Sequence, residues 1–241
     1  MARPKTSTAA NAPYSFDWST KKLHRLLLLS ATYQQASEAQ PATFQADPDN
    51  RLFGRMNRLR LEAEAVRDNL LAASGKLDIS MGGVAYRDFS VPRRTLYYMT
   101  IRSDRSGFGP LFDAADSTAS MDHRTVSTVA PQSLYLLNNA FVIEQTRALA
   151  QRLAKEIPDA PDSDTARIRR AYALLYGRSP SAEEIGIGLR YLHHMRLSKT
   201  GAQTIQQTNE KNIQQAVQQN NLAWEQYCQV LLCANEFIYV D

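Results

Sequence analysis

The sequence predicts a mainly α-helical fold with a helical core, a minor β element and one long irregular loop. Apolar residues recur at helical spacing through most of the chain after residue 16. One run of β-branched and aromatic residues, TLYYMTIR at 95–102, predicts a strand. Residues 103–130 are rich in Gly, Pro, Ser, Thr and Asp and lack periodicity, which predicts a long irregular loop.

The first half of the chain predicts two helices that a proline-containing segment separates. The first helix begins near residue 17, with Asp17 or Ser19 as its N-cap, and residues 38–48 end it with two prolines. The second runs from about Asp49 to Ser74, and Gly75 is its expected C-cap. Its apolar seam has spacings of 4, 3, 4, 3 and 4 residues, through Leu52, Met56, Leu59, Ala63, Val66 and Leu70.

The second half predicts a series of helices. Residues 131–156 form two of them, with Asn138 or Asn139 at the junction. A third spans 164–178 and is stopped by Gly177, and the capping-box pattern SAEE starts a fourth at Ser181. Residues 198–221 carry seven glutamines and indicate a loosely held helix or a loop, before a final helix near Leu222 to Asn235. The terminal NEFIYVD is expected to add a strand beside TLYYMTIR or to fill a groove.

Length and composition allow one large domain or two small ones. The chain has 241 residues, of which 44% are hydrophobic and 22% charged, as in an ordinary soluble globular protein. We expect a disordered tail at 1–16 and a single domain over 17–241, with a sub-boundary near 125–130 as an alternative. No signal peptide or membrane span is visible, so the chain is either intracellular or a piece of a longer exported protein.

The charge balance gives little support for nucleic-acid binding. The net charge is +4, and the excess lies in residues 1–125, which hold 17 Lys and Arg against 13 Asp and Glu. Basic and acidic residues are interleaved there, whereas a nucleic-acid surface needs a clustered basic stripe. We therefore expect no nucleic-acid partner.

A dense set of charged residues accompanies the seam: Arg58, Arg60, Glu62, Glu64, Arg67 and Asp68. In a continuous helix, Arg58 would pair with Glu62, and Arg60 with Glu64, at i,i+4 spacing. One interpretation is an Arg–carboxylate cluster that lines a pocket and recognises an anionic ligand. The interpretation we favour is an ion-paired helix that holds down the loop at 103–130. Arg60, Glu64, Arg102 and Arg124 are the candidate binding residues.

The loop contains the residue types that acid–base chemistry uses. Asp113, Asp116 and His123 are the catalytic candidates, since two carboxylates and an imidazole lie close together in irregular backbone. The simpler role of Asp113 and Asp116 is to cap turns, with Arg124 paired with one of them. One His and two Asp fall short of a metal set, so we expect no metal site. We expect no cofactor either, because the sequence has no CxxCH motif, no Gly-rich phosphate loop and no GxSxG motif.

Several segments together resemble one family, the Planctomycetes-type C-terminal domain known as domain of unknown function 1553. The segments are WSTKKLHRLLLLSATYQQAS at 18–37, DPDNRLFGRMNRLRLEAEAVRDNLLAASGKLD at 47–78 with the following MGG, LFDAADSTASMDHRTVSTVAPQSLYLLNNAFV at 111–142, YGRSPSAEE at 176–184 and WEQYCQVLLCANEFIYVD at 224–241. They follow one another in order over nearly the whole chain after residue 16.

The resemblance implies a setting more than an activity. In that family the domain usually closes a large exported protein, behind a cytochrome-c-like haem domain, and it has no established activity. It therefore implies a periplasmic or envelope location, with other envelope domains or proteins as partners. The lack of CxxCH means that haem binding by this chain is not implied.

Two functions follow as hypotheses. The first is a non-catalytic interaction or scaffold domain at the C-terminal end of a larger envelope protein. The alternative is a hydrolase-like enzyme or a ligand site acting on carbohydrate, with the loop carboxylates and His123 as its working groups. A cleft that gathers the candidate residues would favour the alternative, whereas ion pairs among them beneath the loop would favour the scaffold.

Overall fold

The computed structural model describes residues 18–38, 40–103, 107–197 and 210–240, with backbone alone for 210–217. The tail predicted at 1–16 and the first half of the glutamine-rich segment lie outside the described residues. The elements, in chain order, are α1 (Thr20–Leu28), α2 (Pro41–Ala46), β1 (Leu59–Arg60), α3 (Ala63–Ser74), a 3-10 turn (Thr95–Tyr97), α4 (Phe108–Leu111), α5 (Ala130–Asn138), α6 (Ala140–Glu156), α7 (Ser163–Leu175), α8 (Ala182–Leu197), α9 (Glu210–Leu232), α10 (Asn235–Ile238) and β2 (Tyr239–Val240).

The fold class is confirmed as mainly α with a minor β element, but the strands lie elsewhere than predicted. The sheet has two short strands, β1 and β2, and the Leu61 amide beside it donates to the Ile238 carbonyl at 2.8 Å. Thr95–Arg102 is not a strand. The carboxylate of Asp68 accepts from the amide and hydroxyl of Thr95 at 2.7 and 2.6 Å, where the backbone turns into the 3-10 conformation. A side-chain contact with α3 thus overrides the local β propensity.

The predicted helix from Asp49 to Ser74 is wrong in its first half, because α3 begins only at Ala63. Side chains before it hydrogen-bond to nearby backbone and give the chain an alternative to a helix. Asp47 accepts from the amides of Arg51 and Leu52 at 2.9 and 2.8 Å. Asn50 stands at φ +52° and donates to the Arg55 carbonyl at 2.7 Å.

Only the C-terminal half of the predicted seam therefore reaches a core. Ala63, Val66 and Leu70 are buried, whereas Leu52 and Leu59 are exposed. The predicted i,i+4 pairs between Arg58 and Glu62 and between Arg60 and Glu64 require a helical backbone that this segment does not have. The predicted end of the helix is correct, since Gly75 stands at φ +76° as the left-handed C-cap.

The chain divides into two compact units, residues 1–59 with 241 and residues 60–240. The first holds α1 and α2, and among its described residues Asn50 alone is buried. As predicted, Ser19 caps α1 by accepting from the Lys22 amide. The expectation of one domain over 17–241 stays a prediction.

The core of the second unit centres on α6. This helix packs against α3 and against α9, while α8 packs on α9 and on α7. Leu149 and Leu153 of α6 and Ile168 of α7 are fully buried. In the final helix, Trp224, Cys228 and Leu231 are likewise buried, although that helix begins earlier than expected.

The predicted helix junctions in this bundle are confirmed. Asn139 separates α5 from α6 and accepts from the Phe141 amide at 2.9 Å. At the start of α8, the Ser181 hydroxyl accepts from the Glu184 amide at 3.2 Å, and the Glu184 carboxylate accepts from the Ser181 amide at 2.7 Å. This reciprocal pair is a capping box.

Two glycines of α8 differ in what surrounds them. A Cβ added at Gly188 would lie 2.6 Å from the Tyr227 hydroxyl and 2.9 Å from Cδ1 of Ile168. A Cβ added at Gly186 would meet only the end of the Arg190 side chain, at 3.4 Å. Gly188 therefore allows α8 to approach α7 and α9 closely, and Gly186 does not have that role.

We expect Gly188→Ala to lower the free energy of unfolding by about 2 kcal/mol, because the added methyl overpacks the helix contact. Gly186→Ala is the matched control, and we expect it to raise stability by up to about 1 kcal/mol through helix propensity. Urea unfolding followed by circular dichroism measures both. Equal effects of the two substitutions would contradict close packing at Gly188.

Candidate functional site

The residues that shape the candidate site lie around Arg67, in the middle of α3. Its side chain is 0% exposed. The guanidinium donates to the carbonyls of Phe89, Val91 and Arg93 at 2.7, 2.6 and 2.8 Å. Three backbone carbonyls of one irregular segment are thus satisfied by a single side chain, and that segment is held against α3.

Aromatic rings and two polar side chains complete the surroundings of Arg67. Its guanidinium carbon lies 4.7 Å from the ring centroid of Phe89 and 5.4 Å from that of Phe141. Burial lowers the pKa of Arg67, while Tyr86 and Asp68 act to raise it. The nearest carboxylate oxygen, on Asp68, is 3.9 Å away, so carbonyls and rings supply most of the contacts to this cation.

A second buried arginine connects the start of α3 to the loop. Arg60 forms an ion pair with Asp113 at 2.8 Å, and it also donates to the carbonyls of Phe112 and Ser127. Asp113 in turn accepts from the amide and hydroxyl of Ser127, each at 2.9 Å. Asp113 stands at φ +59°, a conformation that Asp tolerates better than most residues.

A third arginine comes from the loop itself. Arg124 forms a bidentate ion pair with Glu64, in which its Nη1 and Nη2 donate to the two carboxylate oxygens at 2.7 and 3.2 Å. Its Nη1 also lies 3.3 Å from a carboxylate oxygen of Glu62. The hydrogen bond that Arg124 donates to Glu64 is the largest cause of the raised pKa of Arg124. The predicted anchoring of the loop by the charges of this segment is thus present, although the partners are loop residues rather than neighbours on one helix.

The remaining candidates are dispersed. His123 is 78% exposed and its imidazole lies 2.8 Å from Asp122. Asp116 accepts from the amide and hydroxyl of Thr118 at 2.8 and 2.7 Å, as in a capped turn. Arg102 is exposed. The structure therefore joins Arg60 with Asp113 and Glu64 with Arg124, but it does not bring Asp113, Asp116 and His123 into one acid–base group.

A cavity of about 690 Å³ opens beside these ion pairs. Four segments form its wall: residues 63–64 at the start of α3, residues 87–101, the α4 turn at 107–110, and residues 114–117. Glu64 and Asp116 are the sequence candidates that line it, whereas Asp113, His123, Arg124 and Arg102 do not. Its size lies within the range of small-molecule pockets, which is about 300–1,000 Å³.

The apolar wall of the cavity is aromatic. The rings of Phe89 and Tyr98 meet edge to face at 5.7 Å, and Phe89 contacts Phe108 at 5.3 Å. Phe108 is also stacked on Phe112 at 4.5 Å. The Phe89 carbonyl is one of the acceptors of Arg67, so the buried guanidinium positions part of this wall.

The described residues contain neither a cluster of side chains suited to a metal ion nor a helix suited to cross a membrane. No group of three or more His, Cys, Asp or Glu side chains among them is arranged to hold a metal ion. None of the helices in the described segments combines the length and apolar character that crossing a bilayer requires.

Comparison with known proteins places the chain in a family. The model of a family described as "Protein of unknown function (DUF1553)" matches residues 13–192. The chain belongs to the DUF1553 family. No curated protein and no solved structure matches it.

Two parts of the DUF1553 site were not identified from the sequence. Arg67 was noted as one charge among several, yet it stands next to Val66 and four residues after Ala63, both of which are buried. An arginine inside the apolar face of a helix was the available signal that it is buried. Arg87 and Phe89 gave no such signal, because they lie in irregular backbone without periodicity, and Tyr98 lies in the segment whose pattern wrongly predicts a strand.

The Arg60–Asp113 pair generates a pH-dependent prediction. Burial acts to raise the pKa of Asp113, but the Ser127 hydrogen bonds and the Arg60 guanidinium together outweigh it, so the pKa lies below its ordinary value. A carboxyl with a depressed folded pKa stabilises the fold above its unfolded pKa, about 3.9, and the contribution is lost as pH falls through the folded pKa.

We expect Asp113→Asn to destabilise the DUF1553 chain by about 2 kcal/mol at pH 7, since it leaves the buried Arg60 without its counter-charge. The loss of unfolding free energy relative to wild type should shrink as the pH falls from about 4 through the lower folded pKa of Asp113, because the wild-type carboxyl then becomes protonated. Asp122→Asn, at an exposed pair, is the control. Urea unfolding across this pH range measures the effect, and a difference that stays constant with pH would argue against the ion pair.

Proposed function

We propose that the chain is a non-catalytic interaction module, a helical scaffold domain in the C-terminal part of a larger envelope-associated protein. Membership of the DUF1553 family shows which proteins the chain is related to, but that family has no assigned function. The envelope setting and a neighbouring haem-containing domain or other envelope partner come from the resemblance to Planctomycetes-type C-terminal domains. The support from the molecule itself comes from its charged residues and its exposed apolar residues.

The charged candidates are used for structure. Asp113 is held by Arg60 and Ser127, and Glu64 is held by Arg124. A hydrolase needs a carboxyl or imidazole placed within reach of its substrate. His123 is not at the cavity wall, and its imidazole lies beside Asp122, which is not one of the catalytic candidates.

The observation that carries the proposal is the set of apolar side chains exposed on the segments that Arg67 and Arg93 organise. Ile79, Met81 and Val84 are 75, 90 and 86% exposed, and Leu96 is 71% exposed. Their backbone is held in place: the Gly82 amide donates to the Tyr97 hydroxyl at 2.8 Å, and Arg93 donates to the Val84 carbonyl at 3.2 Å. Large apolar side chains presented on an ordered backbone indicate a surface that a protein partner covers.

The cavity favours a ligand site as the second candidate function. An aromatic wall with a few charged groups is typical of a small-molecule pocket. It supports binding rather than hydrolysis of a carbohydrate, because Asp116 is the one sequence-predicted catalytic candidate in its wall. The two functions are compatible, since Ile79, Met81 and Val84 do not line the cavity.

Site-specific photo-crosslinking tests the interaction module. A benzoylphenylalanine at Met81 should crosslink to one defined envelope domain or protein in cells that express the natural full-length protein, with the partner identified by mass spectrometry. The same probe at Arg169, exposed on α7, is the matched control. Crosslinks that are equal at both positions, or absent at position 81, would count against a docking surface there.

A further inference from the structure

We propose that the cavity binds a small organic monocarboxylate that carries a ring, with its carboxylate on Arg87 and its ring against the aromatic wall. The inference deepens the ligand-site function described above and does not depend on the docking of the 79–84 segment. It follows from the charge of the wall, from its rings and from its size.

Arg87 is the cation that the wall offers to a ligand. Its guanidinium Nε lies 3.3 Å from the Met99 sulfur, and it forms no ion pair with any residue in the described part of the chain. A thioether is a weak acceptor, so most of the donors of this guanidinium are available. A carboxylate matches the fork of a guanidinium in shape and accepts two hydrogen bonds from it.

Arg87 differs in this respect from most arginines around it. Arg60 is paired with Asp113, Arg124 with Glu64, and Arg94 lies 3.7 Å from Asp68. Both terminal nitrogens of the Arg67 guanidinium donate to backbone carbonyls. Among the described residues that line the cavity, Arg87 is thus the arginine whose charge these contacts leave for a ligand.

The carboxylates of the wall set the charge that the ligand carries. The negative charge of Glu64 is offset by its bidentate ion pair with Arg124. Asp116 directs its Oδ1 to the amide and hydroxyl of Thr118. One described guanidinium in the wall, with the charge of Glu64 already offset, suits a ligand with a single negative charge better than a dianionic phosphate monoester.

The rest of the wall suits a ring. Phe89, Tyr98 and Phe108 present aromatic surface, and Thr100 and Ser117 add hydroxyl groups. Aromatic side chains gain most from flat apolar partners, and hydroxyls orient polar substituents on such a partner. Both an aromatic acid and a sugar acid have this combination, and the test distinguishes them.

The experiment is an NMR titration of the full chain with four probes. Phenylacetate and glucuronate are the acids, and phenylacetamide and glucose are their neutral counterparts. We expect at least one acid to shift the amide signals of Gly107 and Gly109 with a Kd of about 1 mM, the range for ligands of this size, and its neutral counterpart to bind at least about tenfold more weakly. The acid that binds identifies the ring.

Three variants assign the effect to the cavity. Arg87→Gln should weaken binding of the acid by about tenfold or more, because it removes the charged donor. Arg169→Gln, an exposed arginine on α7, should leave affinity unchanged. Ala115→Trp should also weaken binding, since Ala115 is exposed at the cavity wall and a larger side chain there occupies ligand space while Arg87 is kept.

The inference is overturned if neither acid binds, if the neutral probes bind as well as the acids, or if Arg87→Gln leaves the affinity unchanged. Unchanged two-dimensional NMR spectra elsewhere in the chain verify that the variants remain folded. A negative result leaves the crosslinking at Met81 unaffected, so failure of the ligand site and failure of the interaction module are separately visible.

Discussion

The burial of the Arg67 guanidinium is the interaction on which the shape of the candidate site depends. A charged group with no exposed surface is costly unless hydrogen bonds and counter-charges replace water. Here the carbonyls of Phe89, Val91 and Arg93 supply the hydrogen bonds, and Asp68 is the nearest carboxylate. The energetic requirement acts in both directions: the arginine needs those carbonyls, and three partly buried carbonyls in irregular backbone need a donor. Residues 86–95 therefore have a defined conformation without forming a helix or a sheet.

The cavity and the exposed apolar residues follow from that arrangement. Phe89 and Tyr98 form part of the cavity wall because their segment is held on α3. The ion pairs Arg60–Asp113 and Arg124–Glu64 hold the 108–127 loop, which forms another part of the wall. A buried or half-buried ion pair is weak evidence of a net gain in folding stability. Its clearest effect here is to fix the path of the loop. Residues 79–84 are held to the same segment through Arg93, which donates to the Val84 carbonyl. The cavity wall and these exposed apolar residues are thus linked through Arg67, which donates to the carbonyls of both Phe89 and Arg93.

Local signals in the sequence predicted the helices that end in recognisable caps, and contacts distant in the chain account for the failures. Asn139, Gly75 and the Ser181–Glu184 box act within a few residues, so their roles were predictable. The helix predicted at 49–62 failed because Asp47 and Asn50 compete for backbone amides and carbonyls, and the strand at 95–102 failed because Asp68 binds Thr95. For the site, Arg60, Glu64, Asp113 and Arg124 were singled out as binding or catalytic candidates. The structure pairs Arg60 with Asp113 and Glu64 with Arg124, and this pairing depends on a loop path that no periodicity encodes. Arg87 stands in such a loop, so the structure was needed to place it at the cavity.

Native-state hydrogen exchange is the most direct test that Arg67 organises this region. The amides of Asp78, Tyr86 and Met99 are hydrogen-bonded to Pro92, Tyr97 and Tyr86 in irregular backbone. The account predicts that in the wild type they exchange with opening free energies within about 1 kcal/mol of those of α3. In Arg67→Lys they should lose at least about 2 kcal/mol of protection, because lysine lacks the planar fork that satisfies several carbonyls, while amides of α6 lose less. Rapid exchange of the three amides in the wild type, or protection that the substitution leaves unchanged, would contradict the account.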